Sequence, residues 1–130
     1  MDIGSRRYGD VVVAAPAGRI DHANADGLTA ALAPLLDSAS GGALLLDFSR
    51  VDYISSVGLR VLMLAAKTLR AQQRKLGVAA PQPLVREIFE ISRFNLILDL
   101  SPSVRAGLER MSPQAAAAFD AAKPAPAGAS

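Results

Sequence analysis

Two neighbouring serines, Ser55 and Ser56, stand where a predicted connection leads into a long helical pattern. A hydroxyl at a helix start can accept hydrogen bonds from the free backbone N–H groups of the first turn. The same N–H groups and the helix dipole attract anions, so a serine there can also carry a phosphoryl group. From the residues alone both interpretations stay open, a cap or a phosphate acceptor. Gly58, two residues further on, would let the backbone of a partner approach closely.

A basic stripe follows the serines on the same predicted helix. Arg60 lies four residues after Ser56, so the two face each other across one helical turn and Arg60 could pair with a phosphate. At helical spacing the same face continues with Met63, Lys67, Arg70 and Arg74. We predict that this stripe is part of a partner-binding face. The alternative is a solvated face with Met63 partly buried.

Other catalytic and metal-binding chemistry finds little support in the residues. The chain has no cysteine and one histidine, His22, which excludes disulfides, thiol catalysis and multi-histidine metal centres. Asp47 and Asp52 could suggest paired carboxylates, but no nucleophile–base–orienter set, metal cluster or phosphate-cradling glycine loop accompanies them. An enzyme with Ser56 as nucleophile would lack a base, since no lysine precedes Leu59. We expect no enzyme activity, no cofactor and no metal.

Length and charge predict one compact domain without nucleic acid as a direct partner. The chain has 130 residues, with 14 basic and 12 acidic side chains and a formal charge of +2. This composition lacks the concentrated basic surface that a phosphate-backbone binder needs. No apolar run approaches the ~20 residues that span a bilayer, and residues 1–10 lack the apolar core of a signal peptide. We expect a cytoplasmic protein without membrane insertion.

Four strands are predicted from short apolar runs. The first runs from Val11 towards Ile20, and its proline and glycine suit an edge strand or a bulge better than a central strand. The run Ala43–Phe48 is typical of a strand covered on both faces. The other two are predicted at Leu76–Ala80 and Leu96–Leu98, and residues 49–56 are predicted to be a polar connection.

Apolar residues at helical spacing predict four helices. The predicted helices begin near Ala23, Val57, Pro83 and Ser103. Asp21 or Asn24 is placed to cap the first, and Ser101 or Ser103 the fourth. The second is expected to extend to Lys75 and to be ended by Gly77. The inner side of the third is predicted to carry Leu84, Val85, Ile88, Phe89 and Ile91.

The alternation of strand and helix favours an α/β domain with right-handed crossovers. We expect a single domain over residues 1–112. Its central sheet should be mostly parallel, with four to five strands, an N-terminal edge strand and about four flanking helices. Residues 113–130, rich in alanine and proline, are expected to be a partly disordered extension in which 115–122 could continue a helix.

Three motifs resemble those of the STAS domains and, within that family, the bacterial anti-sigma factor antagonists. A strand ending in Asp-x-Ser and a following Ser-Ser-x-Gly-Leu segment are found at Asp47–Ser49 and Ser55–Leu59. The Gly-x-Ile-Asp motif is Gly18–Asp21, and the proline-opened helix with Val-x-x-x-Phe-Glu is Pro83–Glu90. The motifs occur in the family's order, and the resemblance covers about Val11 to Met111. It implies the STAS fold.

The resemblance also implies a phosphorylation cycle. In these systems an anti-sigma factor that is also a serine kinase phosphorylates the serine two places before the glycine, which is Ser56 here. The unphosphorylated antagonist binds the kinase and frees its sigma factor, and a serine phosphatase resets the protein. Together with the basic stripe, the predicted partner-binding residues are Asp21, Ser55, Ser56, Val57, Gly58, Arg60, Met63 and Lys67.

The chain departs from the family pattern at three places. The residue before the acceptor, often Asp, is Ser55, which makes Ser55 an alternative acceptor. The residue after it, often Ser or Thr, is Val57. Residues 93–95 read Arg-Phe-Asn where Thr-Gly-Leu is common.

Phosphorylation would change the charge around the serines. Asp21, Asp47 and Asp52 are expected near one end of the parallel strands. A phosphoserine adds about −1.5 to −2 charges, which would make this corner strongly negative and repel an acidic partner surface. The phosphate would also have to be desolvated in a tight interface. Either effect is on the order of a few kcal/mol, enough to turn binding off.

A STAS domain need not be a switch, because a fold does not settle a function. The alternative is a non-switching STAS scaffold, or a cytoplasmic partner of a lipid or anion transport system.

Overall fold

The computed structural model describes residues 3–122, which form seven strands and five α-helices. The strands are β1 Gly4–Tyr8, β2 Val11–Ala15, β3 Gly18–Ile20, β4 Ala43–Asp47, β5 Val51–Ile54, β6 Leu76–Ala79 and β7 Asp99–Ser101. The helices are α1 Ala25–Leu36, α2 Ser56–Ala71, α3 Pro83–Ile91, α4 Val104–Met111 and α5 Pro113–Ala122. Short 3-10 helices occur at Ser38–Ser40 and Phe94–Leu96. Every helix within 3–122 is too short or too polar to cross a bilayer.

The main sheet has five strands in the order β1-β2-β4-β6-β7. Strand β1 pairs antiparallel with β2, and the other three neighbouring pairs are parallel. The mixed α/β architecture and the N-terminal edge strand are therefore confirmed. The edge strand is Gly4–Tyr8, however, and the predicted edge assignment for the run starting at Val11 is wrong, because Val11–Ala15 lies between β1 and β4.

The run from Val11 towards Ile20 is two strands that belong to different sheets. The chain turns between Pro16 and Gly18, and the φ of Gly18 is 86°. Strand β3, which begins at Gly18, then pairs in parallel with β5. Strand β5 lies inside residues 49–56, so the prediction of a polar connection there is wrong. Its Val51 and Ile54 are buried in the core, which explains why the otherwise polar segment is ordered.

The main sheet is covered on both faces, as the continuous apolar run of β4 predicted. Alternate residues of a strand point to opposite faces. One face, with Val12 and Leu44, packs against α1, α2 and α3, and the other, with Val11 and Leu45, packs against α4 and α5. Within the extension expected from residue 113, residues 113–122 form α5, whose Ala115 is fully buried. Residues 123–130, included in the expected disorder, lie outside the described residues.

Two boundaries and the buried side of one helix differ from those predicted. Helix α2 ends at Ala71, not Lys75, because Gln73 adopts a left-handed φ of 60°, and Gly77 is a buried residue of β6. Residues 96–98 are not a strand, since the last strand begins at Asp99. The inner side of α3 is narrower than predicted: Val85 and Phe89 are buried, whereas Leu84 is 52% and Ile91 is 76% exposed.

The predicted caps are confirmed at α4 and only partly at α1. The Ser103 hydroxyl accepts from the N–H of Ala106 at 3.1 Å. Asn24 is the residue before α1, but its side chain makes no capping hydrogen bond to the helix. Helix α1 ends at Leu36, and the 3-10 helix at Ser38–Ser40 separates it from Gly41 and Gly42.

Arg74 clamps the connection between α1 and β4. Because α2 ends before it, Arg74 does not belong to the basic stripe in which the sequence placed it. Its Nε donates to the Gly42 carbonyl at 2.6 Å and its Nη2 to the Leu35 carbonyl at 2.9 Å. Further bonds go to the carbonyls of Leu36, Asp37 and Gly41 and to the Gln72 side chain. Partial burial and then the nearby Arg7 lower the pKa of Arg74, while Asp37 raises it.

Gly58 lets α2 lie close to the smaller sheet. An added Cβ would stand 2.6 Å from Cγ2 of Ile20 and 2.8 Å from Cγ1 of Ile54. Gly58 is accordingly buried, and any larger residue would push the first turn of α2 away from β3 and β5.

We predict that Arg74→Met lowers the free energy of unfolding by about 2 kcal/mol, because several backbone carbonyls lose a charged donor. Chemical denaturation monitored by circular dichroism measures this change. Arg70→Met is the matched control, because the Arg70 side chain is exposed and makes no hydrogen bond or ion pair within residues 3–122. Its effect should stay within about 0.5 kcal/mol. Equal effects of the two substitutions would contradict the clamp.

We predict that Gly58→Ala destabilises the fold by about 1–3 kcal/mol through overpacking. This loss should outweigh the roughly 1 kcal/mol by which alanine favours a helix over glycine. Gly4→Ala is the control, since nothing lies within 4 Å of a Cβ added there. A Gly58→Ala protein with an unchanged or raised melting temperature would show that Ile20 and Ile54 move aside freely.

Candidate functional site

The two serines occupy different positions at the start of α2. Ser55 is the N-cap residue, and its half-buried hydroxyl accepts from the Gly58 N–H at 3.3 Å. The Ser55 N–H donates to the Ile20 carbonyl at 2.8 Å, which ties the helix start to the end of β3. Both the side chain and the backbone of Ser55 are therefore engaged within the chain.

Ser56 is the first residue of α2 and is exposed. Its hydroxyl makes no hydrogen bond to any residue in the range 3–122. The helix behind it is 16 residues long, so free N–H groups and the positive end of the helix dipole lie beside this hydroxyl. Ser56 thus offers an accessible hydroxyl where an added anion would be stabilised.

The close approach that Gly58 allows is between parts of this chain and not to a partner. The sequence suggested that this glycine admits the backbone of a partner, but Ile20 and Ile54 of the same chain fill the space beside it. Its contribution to the site is to hold α2 in place behind Ser55 and Ser56. Leu59 is buried, and Val57 is 42% exposed.

Asp21 shapes the loop between β3 and α1. Its Oδ1 accepts from the Ala23 N–H at 3.0 Å, and its Oδ2 lies 3.6 Å from Nε of Arg19. The Arg19 guanidinium also stacks 4.3 Å above the centre of the Tyr53 ring. No sequence pattern indicates this Arg19–Tyr53 pair, which becomes apparent only when β3 and β5 are known to be neighbours with Arg19 opposite Tyr53.

The three aspartates expected at one end of the sheet do not all end strands. Asp21 follows β3 and Asp47 ends β4, where its Oδ1 accepts from the Ser49 N–H at 3.0 Å. Asp52 instead lies near the start of β5 in the smaller sheet and is exposed. Within residues 3–122, no group of three or more acidic, histidine or cysteine side chains could hold a metal ion.

A surface depression beside Ser56 brings together several of the predicted partner-binding residues. It has a volume of about 450 Å³ and is lined by Ser56, Val57, Leu59, Arg60, Met63 and Phe94. Phe94 was missed by the sequence analysis, because the 3-10 turn after α3 carries it there and Arg93 enters that turn with a left-handed φ of 63°. Asp21 and Lys67 do not line this depression.

The remaining basic stripe is solvent-exposed along α2. Arg60, Lys67 and Arg70 are all exposed, and none of their side chains has an ion pair or hydrogen bond within the described part of the chain. Met63 is half-buried, as the solvated-face alternative also expected.

Comparison with known proteins agrees with this fold. The family model described as "Mlab, STAS domain" matches residues 4–99. A Bordetella bronchiseptica protein named as an anti-sigma factor antagonist, BtrV, is 42% identical over 124 residues, which cover 95% of this chain and 99% of that protein.

Solved structures of similar proteins share the fold. An anti-sigma factor antagonist from Mycobacterium paratuberculosis has a TM-score of 0.76 at 25% identity, covering 85% of this chain and 92% of that one. The Bacillus cell fate determinant SpoIIAA, in its phosphorylated form, has a TM-score of 0.66 at 16% identity, covering 85% of this chain and 100% of that one. The chain therefore belongs to the STAS domain family, with proteins named as anti-sigma factor antagonists among its relatives.

Proposed function

We propose that this chain is an anti-sigma factor antagonist regulated by phosphorylation of Ser56. The unphosphorylated form binds an anti-sigma factor that is also a serine kinase, and the bound sigma factor is released. Phosphorylation switches this binding off, and a serine phosphatase restores it. The relative named as an antagonist, similar over almost the full length of both chains, supports the class of function.

The observation that carries the choice of acceptor is the different engagement of the two hydroxyls. The Ser55 hydroxyl caps α2, whereas the Ser56 hydroxyl is exposed and unbonded within residues 3–122. A kinase can reach Ser56 without breaking the cap. The transfer replaces the hydroxyl proton by the terminal phosphoryl group of a nucleoside triphosphate bound to the kinase, so this chain needs no catalytic group of its own.

The position of Ser56 also explains how the phosphate would be held. The added dianion of about −1.5 to −2 charges lies at the positive end of α2. Arg60, one turn away and lining the same depression, can pair with it. The helix start therefore tolerates the phosphate, and the change acts on the surface presented to a partner.

Binding is lost through charge and desolvation. A phosphate beside Val57 and Met63 would have to shed its water in a tight interface, and it would repel carboxylates of a partner. Either effect is on the order of a few kcal/mol, and about 1.4 kcal/mol already changes an affinity tenfold.

We predict that Ser55→Ala lowers the free energy of unfolding by about 1 kcal/mol, because α2 loses its N-cap. Ser56→Ala should change it by less than about 0.5 kcal/mol, since the Ser56 side chain is exposed and unbonded within residues 3–122. Paired thermal melts measure both. A larger loss in Ser56→Ala than in Ser55→Ala would contradict the assignment of the cap.

We predict that the protein purified from its host, or incubated with the host's anti-sigma factor kinases, gains one phosphate of about 80 Da. Intact mass and phosphosite mapping should show it on wild type and on Ser55→Ala, and not on Ser56→Ala.

Other outcomes of the phosphorylation experiment have equally definite meanings. Loss of the phosphate only in Ser55→Ala would keep the switch and move its acceptor by one residue. No phosphate on any form would favour the alternative function, a non-switching STAS scaffold or a cytoplasmic partner of a lipid or anion transport system.

A further inference from the structure

Two surface depressions lie one after the other along α2, between this helix and residues 94–97, and we call them together the α2 groove. At the serine end, Phe94 borders the depression described above, with Arg60 and Met63 on the helix side. At the far end, a second depression of about 500 Å³ is lined by Ala66, Arg70, Gln73, Arg74, Lys75, Leu76, Ile97 and Asp99. As the turn advances from Phe94 to Ile97, its neighbours on α2 advance from residues 56–63 to residues 66–70.

The wall of the groove formed by the turn is apolar and exposed. Leu96 is 74% and Ile97 is 42% exposed, and Ile91, just before the turn, is 76% exposed. These side chains do not serve the core, whose nearest contribution from α3 is Phe89. Three exposed apolar side chains within seven consecutive residues are a feature that a binding partner would cover.

The helix side of the groove is basic, and three of its cations form no ion pair within residues 3–122. Arg60, Lys67 and Arg70 have no acidic partner within residues 3–122, although other cations of the chain do. Arg105, for example, pairs with Glu109 at 2.8 Å and with Asp120 at 3.0 Å. One carboxylate, Asp99, lines the far end. The rim of the groove therefore carries unpaired positive charge along its length.

We propose that the α2 groove binds an acidic amphipathic helix of the anti-sigma factor. Its apolar side would contact Phe94 and Ile97, and its carboxylates would meet Arg60, Lys67 and Arg70. From Ser56 to Arg70 the groove is about 21 Å long, which matches roughly four turns of a docked helix. This inference rests on the proposed function, and charge complementarity together with continuity with the Ser56 surface selects the occupant.

The proposal gives the switch a specific target. A phosphate on Ser56 stands at the serine end of the α2 groove, where it takes Arg60 away from the docked helix and repels its acidic residues. The apolar wall is left unchanged. Phosphorylation should therefore weaken binding mainly through charge, and added salt should reduce the difference between the two forms.

The test is the affinity of the anti-sigma factor kinase that phosphorylates this chain, measured by titration calorimetry with the unphosphorylated protein. Phe94→Ala, Ile97→Ser and the double variant Lys67→Glu/Arg70→Glu should each raise the dissociation constant about tenfold or more. Phe94 is partly buried, so Phe94→Ala could lose affinity through misfolding. Ile97→Ser tests the same surface at an exposed residue. Hydrogen exchange of the kinase, measured with and without this protein, should show slower exchange in a helix that carries several carboxylates.

Two matched controls lie outside the groove. Leu64 is a 49% exposed leucine on the α1-facing side of α2, and Arg6 is an exposed arginine on β1. Leu64→Ala and Arg6→Glu should leave the dissociation constant within about threefold of wild type.

The remaining outcomes separate this inference from the proposed function. A kinase that binds wild type and all groove variants alike would overturn the α2 groove and leave the antagonist function intact. Protection of a basic or non-helical kinase segment would also overturn it. Self-association abolished by Phe94→Ala would assign the groove to a second copy of this chain. A protein that neither binds any anti-sigma factor nor carries a phosphate would overturn both proposals.

Discussion

The hydrogen bonds that hold Ser55 at the start of α2 are the constraint on which the site depends. The Ser55 N–H bonds to Ile20 and its hydroxyl to the Gly58 N–H, so one residue joins β3 to α2 and caps the helix. The missing side chain of Gly58 allows the close contact that completes this junction. Because successive helix residues are rotated by about 100°, a shift of one position at the cap would turn Ser56 and Arg60 away from their present surface.

If Ser56 is the acceptor, as we propose, the separation of cap and acceptor would let a covalent change act on binding without altering the fold. If the capping hydroxyl itself were modified, the first turn of α2 would lose a hydrogen bond at the moment of signalling. Here the exposed hydroxyl of Ser56 is free to react while Ser55 keeps the helix start in place. The modification is then a local electrostatic event on a rigid surface, which suits a switch that must be reversed many times.

Local sequence patterns were sufficient to predict the strands that are buried on both faces. They were insufficient where strand pairing or long-range contacts determine the structure. The apolar run of β4 and the cap at Ser103 could be read directly. Strand β1 was missed because it is a polar, mostly exposed edge strand whose stability comes from its pairing with β2 and from the contact of Tyr8 with Phe119. Helical spacing predicted Arg74 on the basic stripe. Its guanidinium instead donates to carbonyls of Leu35 and Gly42, which are more than 30 residues away in the chain. Phe94 reaches the site through a turn whose geometry depends on a left-handed arginine.

Helix α5 changes where the folding unit ends. The family model matches only to residue 99, yet the second face of the sheet is closed by α4 and α5, with Ala115 fully buried and Phe119 set edge-on against Tyr8 at 5.2 Å. A fragment that ends at residue 99 would expose the apolar side chains of β2 and β4 on this face to water, and it would be prone to aggregation. Fusion partners and truncations therefore belong beyond Ala122, because the last two helices are part of the unit that must fold around the sheet.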